Sequence, residues 1–534
     1  MSEQKATARA AGVVGIWTTA SRVLGFVRDM VIALFLGAGM GADAFVVAFR
    51  IPNLLRRLFA EGALSAAFIP TYVDTLHKQG RPEAEKLART SFTFLSIILA
   101  LVTLLGIVFS PLIVRITAPG FYKEAVKFAL TVELNRIMFP YIFFISLVAL
   151  ASGVLNSMGH FAAPAAAPLL LNISMIVSVA ALTTYLGVAP FYALAWGVVA
   201  AGILQLALQL PFLWAQGVKL RPDFDFRQPA LKKMGILFIP AALGGAVYQL
   251  NVFFGTILAS MLPTGSVSWL YYADRLVELP LGVFAVALGT AVLPSMSRQA
   301  SSGDMPGLTR SVSFSLRIIA FFTIPASVAL IALNEPIVAV LFQRGKFAYL
   351  DTQQTAYALT CYTVGLWAFS GLKVVTQGFF SLKDTKTPFW VSVIAVIANL
   401  ALGLILMGPM AHGGIALATS IAAALNFSIL FFILIGRLGG SVADAEGKAP
   451  QTERFPLSEF LLSIAKICLA SVVMGIALFF GRGFGDWSLG LTARNALTLS
   501  LCIVGGLVMF TLSAYLLRCR ELSSILSIFR TGKR

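Results

Sequence analysis

The chain has 534 residues, of which 58% are hydrophobic and only 12% charged, about half the charged share of a soluble globular protein. That balance excludes a soluble fold and points to an all-α polytopic membrane protein. In a soluble protein the net charge of +17 would suggest a nucleic-acid partner; here most Lys and Arg fall in short loops between apolar segments, where they set orientation, and no nucleic acid is expected.

Apolar windows predict fourteen spans, at 11–37, 42–75, 90–115, 130–157, 163–186, 190–216, 235–262, 267–297, 311–333, 354–381, 387–409, 412–437, 459–481 and 494–517. The first is long enough to span and lacks a small-residue cleavage site, so it does not read as a removable signal. The second and eighth are long and broken by proline. Basic residues gather after spans two (Lys78, Arg81, Lys86, Arg89), six (Lys219, Arg221, Arg227, Lys232, Lys233) and ten (Lys383, Lys386), and at the C-terminal tail. The loops at 38–41, 187–189, 263–266 and 410–411 have none, which predicts both termini in the cytoplasm. Lys123, Lys127, Arg344 and Lys346 run against this trend. Arg317 and Lys466, near span ends, are expected to snorkel, and Glu133 and Arg136 to pair along span four.

Soluble-type chemistry has no carrier. Cys361, Cys468, Cys502 and Cys519 lie in or beside apolar runs without a CxxC, so no disulfide framework is expected. His77, His160 and His412 are too far apart in sequence to suggest a metal site. There is no GxxxxGK[ST], HExxH or GxSxG motif, which speaks against ATP-driven transport within the chain and against hydrolase chemistry. No cofactor is expected.

The charges of the first two spans demand explanation. Residues 21–70 hold Arg22, Arg28, Asp29, Asp43, Arg50, Arg56, Arg57 and Glu61. An ionised side chain near the bilayer centre costs about 2.5–3.5 kcal/mol, so this stretch is expected to line something polar. Helical positions seven apart share a face, which groups Arg22 with Asp29, and Asp43 with Arg50 and Arg57. Glu61 follows Arg57 at the spacing of a helical ion pair, and Pro52 predicts a bend. Adjacent Arg56 and Arg57 cannot face one way, and Arg56 is the better candidate for a ligand. In span eight, YYADRLVELP puts Asp274 and Glu278 on one face beside Arg275, and Lys373 stands alone in the apolar run of span ten. Several arginines with planar forks suit an anion of more than one charge: a small hydrophilic anion or a lipid-linked pyrophosphate.

An internal repeat is visible. The run from Ser91 resembles the run from Ser313, residues 152–173 align with 376–399, and Ala42-Asp43 recurs as Ala273-Asp274. The repeat predicts an N-terminal lobe at 1–218 (spans one to six) and a C-terminal lobe at 219–437 (spans seven to twelve). A cytoplasmic linker at 438–458 then leads to the last two spans and a tail at 459–534. Transporters built from repeats bind substrate at the repeat interface near the midplane. By the repeat, Asp43 and Asp274 are expected to pair with arginines in an outer gate. The appended pair, apolar and outside the repeat, suits a lipid tail.

SRVLGFVRD, DAFVVAFRIPNLLRRLFAEGALSAAFIP and SVSWLYYADRLVELPLGVFAVALGTAVLPS closely resemble the MurJ (MviN) lipid II flippases, with FQRGKF at Phe342 and GFFSLKDTKTP at Gly378 adding to the match. The resemblance covers nearly the whole chain. It implies a member of the multidrug/oligosaccharidyl-lipid/polysaccharide exporter superfamily in the bacterial inner membrane. Its partners would be membrane lipids and lipid II, the undecaprenyl-pyrophosphate-linked disaccharide-peptide precursor of peptidoglycan, moved from the cytoplasmic to the periplasmic leaflet by alternating access. It also implies Arg22, Arg28 and Arg275 as required cavity cations, with Arg56 and Asp43 supporting. Some members hold sodium with acidic residues of the second lobe; spans seven and eleven have none here, which speaks against sodium coupling. With an anionic cargo and no nucleotide-binding motif, membrane potential is the expected driving force, and proton coupling through Asp29, Asp43, Glu61 and Glu278 is the alternative. Two rival readings are a drug/cation antiporter of the same superfamily, which would want an acidic cavity, and a glycosyltransferase polymerising lipid II, which would want a longer extracytoplasmic catalytic loop.

Overall fold

A computed structural model describes residues 3–56, 64–439 and 455–531, and among these every regular element is helical. They form two compact units, one of residues 1–268 with 345–347 and one of residues 269–344 with 348–534. The repeat boundary at 218/219 falls inside the first unit, because the helix that follows it packs on helices from the start of the chain.

The first unit contains α1 (Glu3–Leu36), α2 (Met40–Arg56), α3 (Leu64–Gln79), α4 (Arg81–Val108), α5 (Ser110–Thr117), a 3-10 turn at Pro119–Lys123, α6 (Ala125–Met138), α7 (Tyr141–Ser157), α8 (Ala162–Leu186), α9 (Pro190–Ala215) and α10 (Pro229–Ser260). α2 keeps Pro52 inside it, while Arg57 and Glu61, with the ion pair expected of them, lie outside the described residues. Apolar side chains of α3, α4 and α7, among them Phe68, Tyr72, Phe92, Ile142 and Val154, form one core. Lipid tails are as apolar as leucine, so helix association there rests on close packing and interhelical hydrogen bonds. Ser174 Oγ donates to Gly197 O at 2.8 Å, and Gln205 Nε2 to Ala167 O at 2.9 Å, tying α8 to α9.

α1 ends where two glycines permit a close approach. Gly37 has φ +63° and Gly345 φ +58°, conformations that a Cβ disfavours. A Cβ on Gly37 would stand 2.3 Å from Lys346 O, and one on Gly345 2.3 Å from Leu34 O. With both residues bare, Lys346 N donates to Leu34 O at 3.0 Å.

The second unit holds all but the first three residues of α11 (Ser266–Pro280), then a π-helical turn at Leu281–Ala285, α12 (Val286–Ser301), α13 (Met305–Ala332), α14 (Asn334–Phe342), α15 (Tyr349–Thr363), α16 (Leu366–Ser381), α17 (Lys386–Gly439), α18 (Leu457–Gly481), α19 (Ala493–Leu516) and α20 (Arg520–Thr531). The π turn follows Pro280, which has no N–H to donate, so the ladder is re-spaced there. One core joins α12, α13, α16 and α17; another joins α13 and α14 to α18 and α19.

The described residues include ten helices long and apolar enough to cross a membrane. One of them, the 54-residue α17, breaks at Ala411 (φ 48°, ψ −130°), at the boundary predicted between spans eleven and twelve. Predicted spans three, four, eight and ten each consist of two helices. α14 and α20 are additional to the predicted spans.

Candidate functional site: charged clusters on the first, second and eleventh helices

In the first unit, Arg28 is the best-supported cation. Its Nε and Nη2 donate to Asp29 Oδ1 at 3.0 and 2.7 Å, and its Nη1 donates to Asn172 Oδ1 at 3.0 Å. Asn172 in turn donates from Nδ2 to Ser21 O at 3.0 Å, so α8 props both the arginine and the backbone of α1. The Arg28 side chain is 11% exposed and Asp29 3%, which gives the guanidinium a fixed direction. Arg22, six residues earlier, is exposed, and among the described residues no partner is found for it. Arg22 and Asp29 stand seven residues apart on the unbroken α1, but Asp29 is buried and bonds to Arg28, its chain neighbour.

On α2, Asp43 and Arg50 both reach the segment 256–268, as their spacing predicts. Arg50 Nη1 donates to Thr256 Oγ1. Asp43 Oδ2 accepts from Lys127 Nζ at 2.9 Å and Gly265 N at 2.8 Å, while Oδ1 accepts from Ser268 N at 3.0 Å and Ser268 Oγ at 2.7 Å. The expected arginine partner of Asp43 is thus corrected to Lys127. The reason is electrostatic: the carboxylate sits at the start of α11, where free N–H groups point outward, and a buried lysine balances its charge. Arg56 Nε donates to Asn53 Oδ1 at 3.0 Å, one turn back.

In the second unit, Arg275 Nη1 donates to Glu278 Oε2 at 2.5 Å and its guanidinium lies 4.9 Å from the centre of the Tyr271 ring. Asp274 is half-buried beside it. Lys373 on α16 is exposed, with its stem against Gly289 of α12.

Three further expectations are corrected. Glu133 and Arg136 do not pair: Tyr192 Oη donates to Glu133 Oε2 at 2.5 Å, and Arg136 Nε donates to Ile107 O at 3.3 Å. Neighbouring helices offered each a nearer partner than its own. Arg317 does not snorkel; it lies 3.7 Å from Glu521 of α20, which is buried and also accepts from Ser463 Oγ at 2.7 Å. Lys127 is no loop cation. It is buried on α6 and neutralised by Asp43, so it does not weigh against the predicted orientation.

Sequence reasoning passed over Asn172, Thr256, Asn53 and the pairing of Lys127. A signal existed for two: Asn172 is an amide in the apolar run LLLNIS, and Lys127 broke the loop-charge rule. Among the described residues, no group of three or more His, Cys, Asp and Glu could hold a metal ion.

Curated relatives include a probable lipid II flippase MurJ of Vibrio cholerae serotype O1, 40% identical over 428 residues, covering 78% of this chain and 81% of that one. Another, from Rhizobium meliloti strain 1021, is 36% identical over 532 residues and covers 97% and 95%. Among solved structures, lipid II flippase MurJ in an inward closed conformation superposes with a TM-score of 0.75 at 28% identity, covering 94% of this chain and 98% of that one. An inward-facing multidrug-resistance MATE transporter shares the fold, with a TM-score of 0.67 at 17% identity over 78% of this chain and 94% of its own. The family description "Lipid II flippase MurJ" matches residues 32–498, and the chain belongs to that family.

Proposed function

We propose that this protein flips lipid II from the cytoplasmic to the periplasmic leaflet of the bacterial inner membrane by alternating access. Membership of the MurJ family across residues 32–498 carries the reading. Neither rival has a comparable support, since the likeness to a multidrug transporter extends to the fold alone and the relatives are named as flippases. The sequence repeat supports two six-span lobes, at 1–218 and 219–437, with an appended pair of spans, and the loop charges support two cytoplasmic termini.

Arg22, Arg28, Arg56 and Arg275 take the pyrophosphate in this reading. A planar fork grips phosphate oxygens bidentately, and a guanidinium held in one orientation loses less freedom on doing so. Arg28 fits that requirement best, being aimed by Asp29 and Asn172. Asp29, Asp43, Arg57, Glu61, Asp274, Glu278 and Lys373 support or gate the cavity. The test is leaflet transfer of labelled lipid II in vesicles reconstituted with the purified chain. Absence of transfer, or appearance of glycan polymer, would overturn the reading.

A further inference from the structure

Among the described residues of the first unit, the most enclosed charges are Asp43 and Lys127, each with 1% of its side chain exposed. A buried ion pair is poor value for stability, because well-packed apolar residues of the same size commonly do as well or better. Its geometry suggests another use. The hydrogen bonds to the Asp43 carboxylate divide into two sets. One is the bond from Lys127 on α6, a helix packed directly against α2. The other three come from Gly265 N, Ser268 N and Ser268 Oγ, at the start of α11. Lys127 adds a bond of its own to Thr264 Oγ1 at 3.1 Å and lies 4.2 Å from the centre of the Phe121 ring.

We propose that Lys127 is the counter-ion of a reversible latch, in which Asp43 clasps the start of α11 at the extracytoplasmic end. The proposal rests on the alternating-access reading above. If residues 264–268 withdraw, Asp43 loses three hydrogen bonds and Lys127 loses one, yet the ion pair survives whole on α2 and α6. The open state then contains a paired carboxylate instead of a stranded one. Lys127 thus contributes to the open state more than to the closed one, in which α11 already satisfies Asp43.

The two partners of one ion pair therefore have opposite effects. Without Lys127, opening strands a bare carboxylate, and the latch stays shut. Without the Asp43 charge, asparagine keeps one acceptor oxygen but replaces the other with an amide that cannot accept from Gly265 N, and the closed state leaves Lys127 buried without a counter-charge, so the latch loosens. A purely structural pair would shift both variants the same way.

The measurement is labelling of Val267→Cys, buried in the closed state, by a membrane-impermeant thiol reagent added outside, in a chain whose native cysteines are replaced. Against that parent, Lys127→Met is expected to label about tenfold more slowly and Asp43→Asn about tenfold faster, the scale of losing a hydrogen bond to a charge. Lys127→Arg, which keeps the cation, should restore the parent rate. Shifts of the same sign, or none, overturn the latch. If Lys127→Met does not accumulate in the membrane, Lys127→Gln is read identically, and labelling that fails to slow overturns the proposal. No substrate is present in the labelling assay, so failure of the latch and failure of the flippase reading are scored separately.

Discussion

Single side chains set what the first unit can hold. Arg28 is useful to a phosphate because Asn172 and Asp29 fix its plane, so the amide matters although it stands on α8, seven helices later in the chain. Asn172→Ala should lower the rate of leaflet transfer tenfold to a hundredfold with insertion intact, the scale of a lost hydrogen bond to a charged group at about 1.5–3 kcal/mol. Arg28→Lys should be impaired as well, since an ammonium cannot reproduce the fork. Arg22→Ala and Arg275→Ala should each fail to support growth when a native flippase is depleted; normal growth of both would remove them from the site. Cost alone is what singles out Arg22, a cation deep in an apolar span. The Asn172 contact of Arg28 and the partners of Asp43 and Glu133 were not legible, because helical spacing ranks neighbours on one helix and says nothing about the next.

At the scale of elements, caps and close approaches decide where helices stop. Asp384 accepts from Lys386 N at 2.9 Å, Thr387 N at 3.0 Å and Thr387 Oγ1 at 2.6 Å, closing the start of α17, and Arg437 Nη1 donates to it at 2.5 Å. The Thr387 hydroxyl and amide, helped by Arg437, pull its carboxyl down from 3.8 to about 2. A depressed carboxyl stabilises above its unfolded value and loses that contribution as pH falls through the folded one. The advantage of the parent over Asp384→Asn in thermal unfolding should thus be full above about pH 4 and vanish towards pH 2. The break at Ala411 is held by Gly414, where a Cβ would stand 2.2 Å from Leu406 O. Gly414→Ala should therefore lower the melting temperature in detergent, at a cost of about 1–3 kcal/mol. The tail helix α20 is tethered through Glu521, and Glu521→Ala should cost a similar amount, about 1–3 kcal/mol, by leaving Arg317 and Ser463 without their acceptor.

For the whole molecule, the question is what drives the cycle. The proposed cargo carries about two negative charges on its pyrophosphate, and an inside-negative potential of 100 mV gives roughly 2.3 kcal/mol per charge. Two charges gain about 4–5 kcal/mol, enough for a distribution near a thousandfold without a coupled proton. Transfer in vesicles should therefore follow the imposed potential and persist when the pH gradient is collapsed; the reverse dependence would refute this. The all-helical membrane character, the break in α17 and the presence of charges in α1, α2 and α11 were determined by the sequence by itself, because apolar length and the cost of burying charge are local properties. The compact units, the Arg28–Asn172 contact, the Asp43–Lys127 pair and the docking of α20 were decided only by tertiary structure. Each joins residues far apart in the chain, and a buried charge takes whichever partner packing brings within reach.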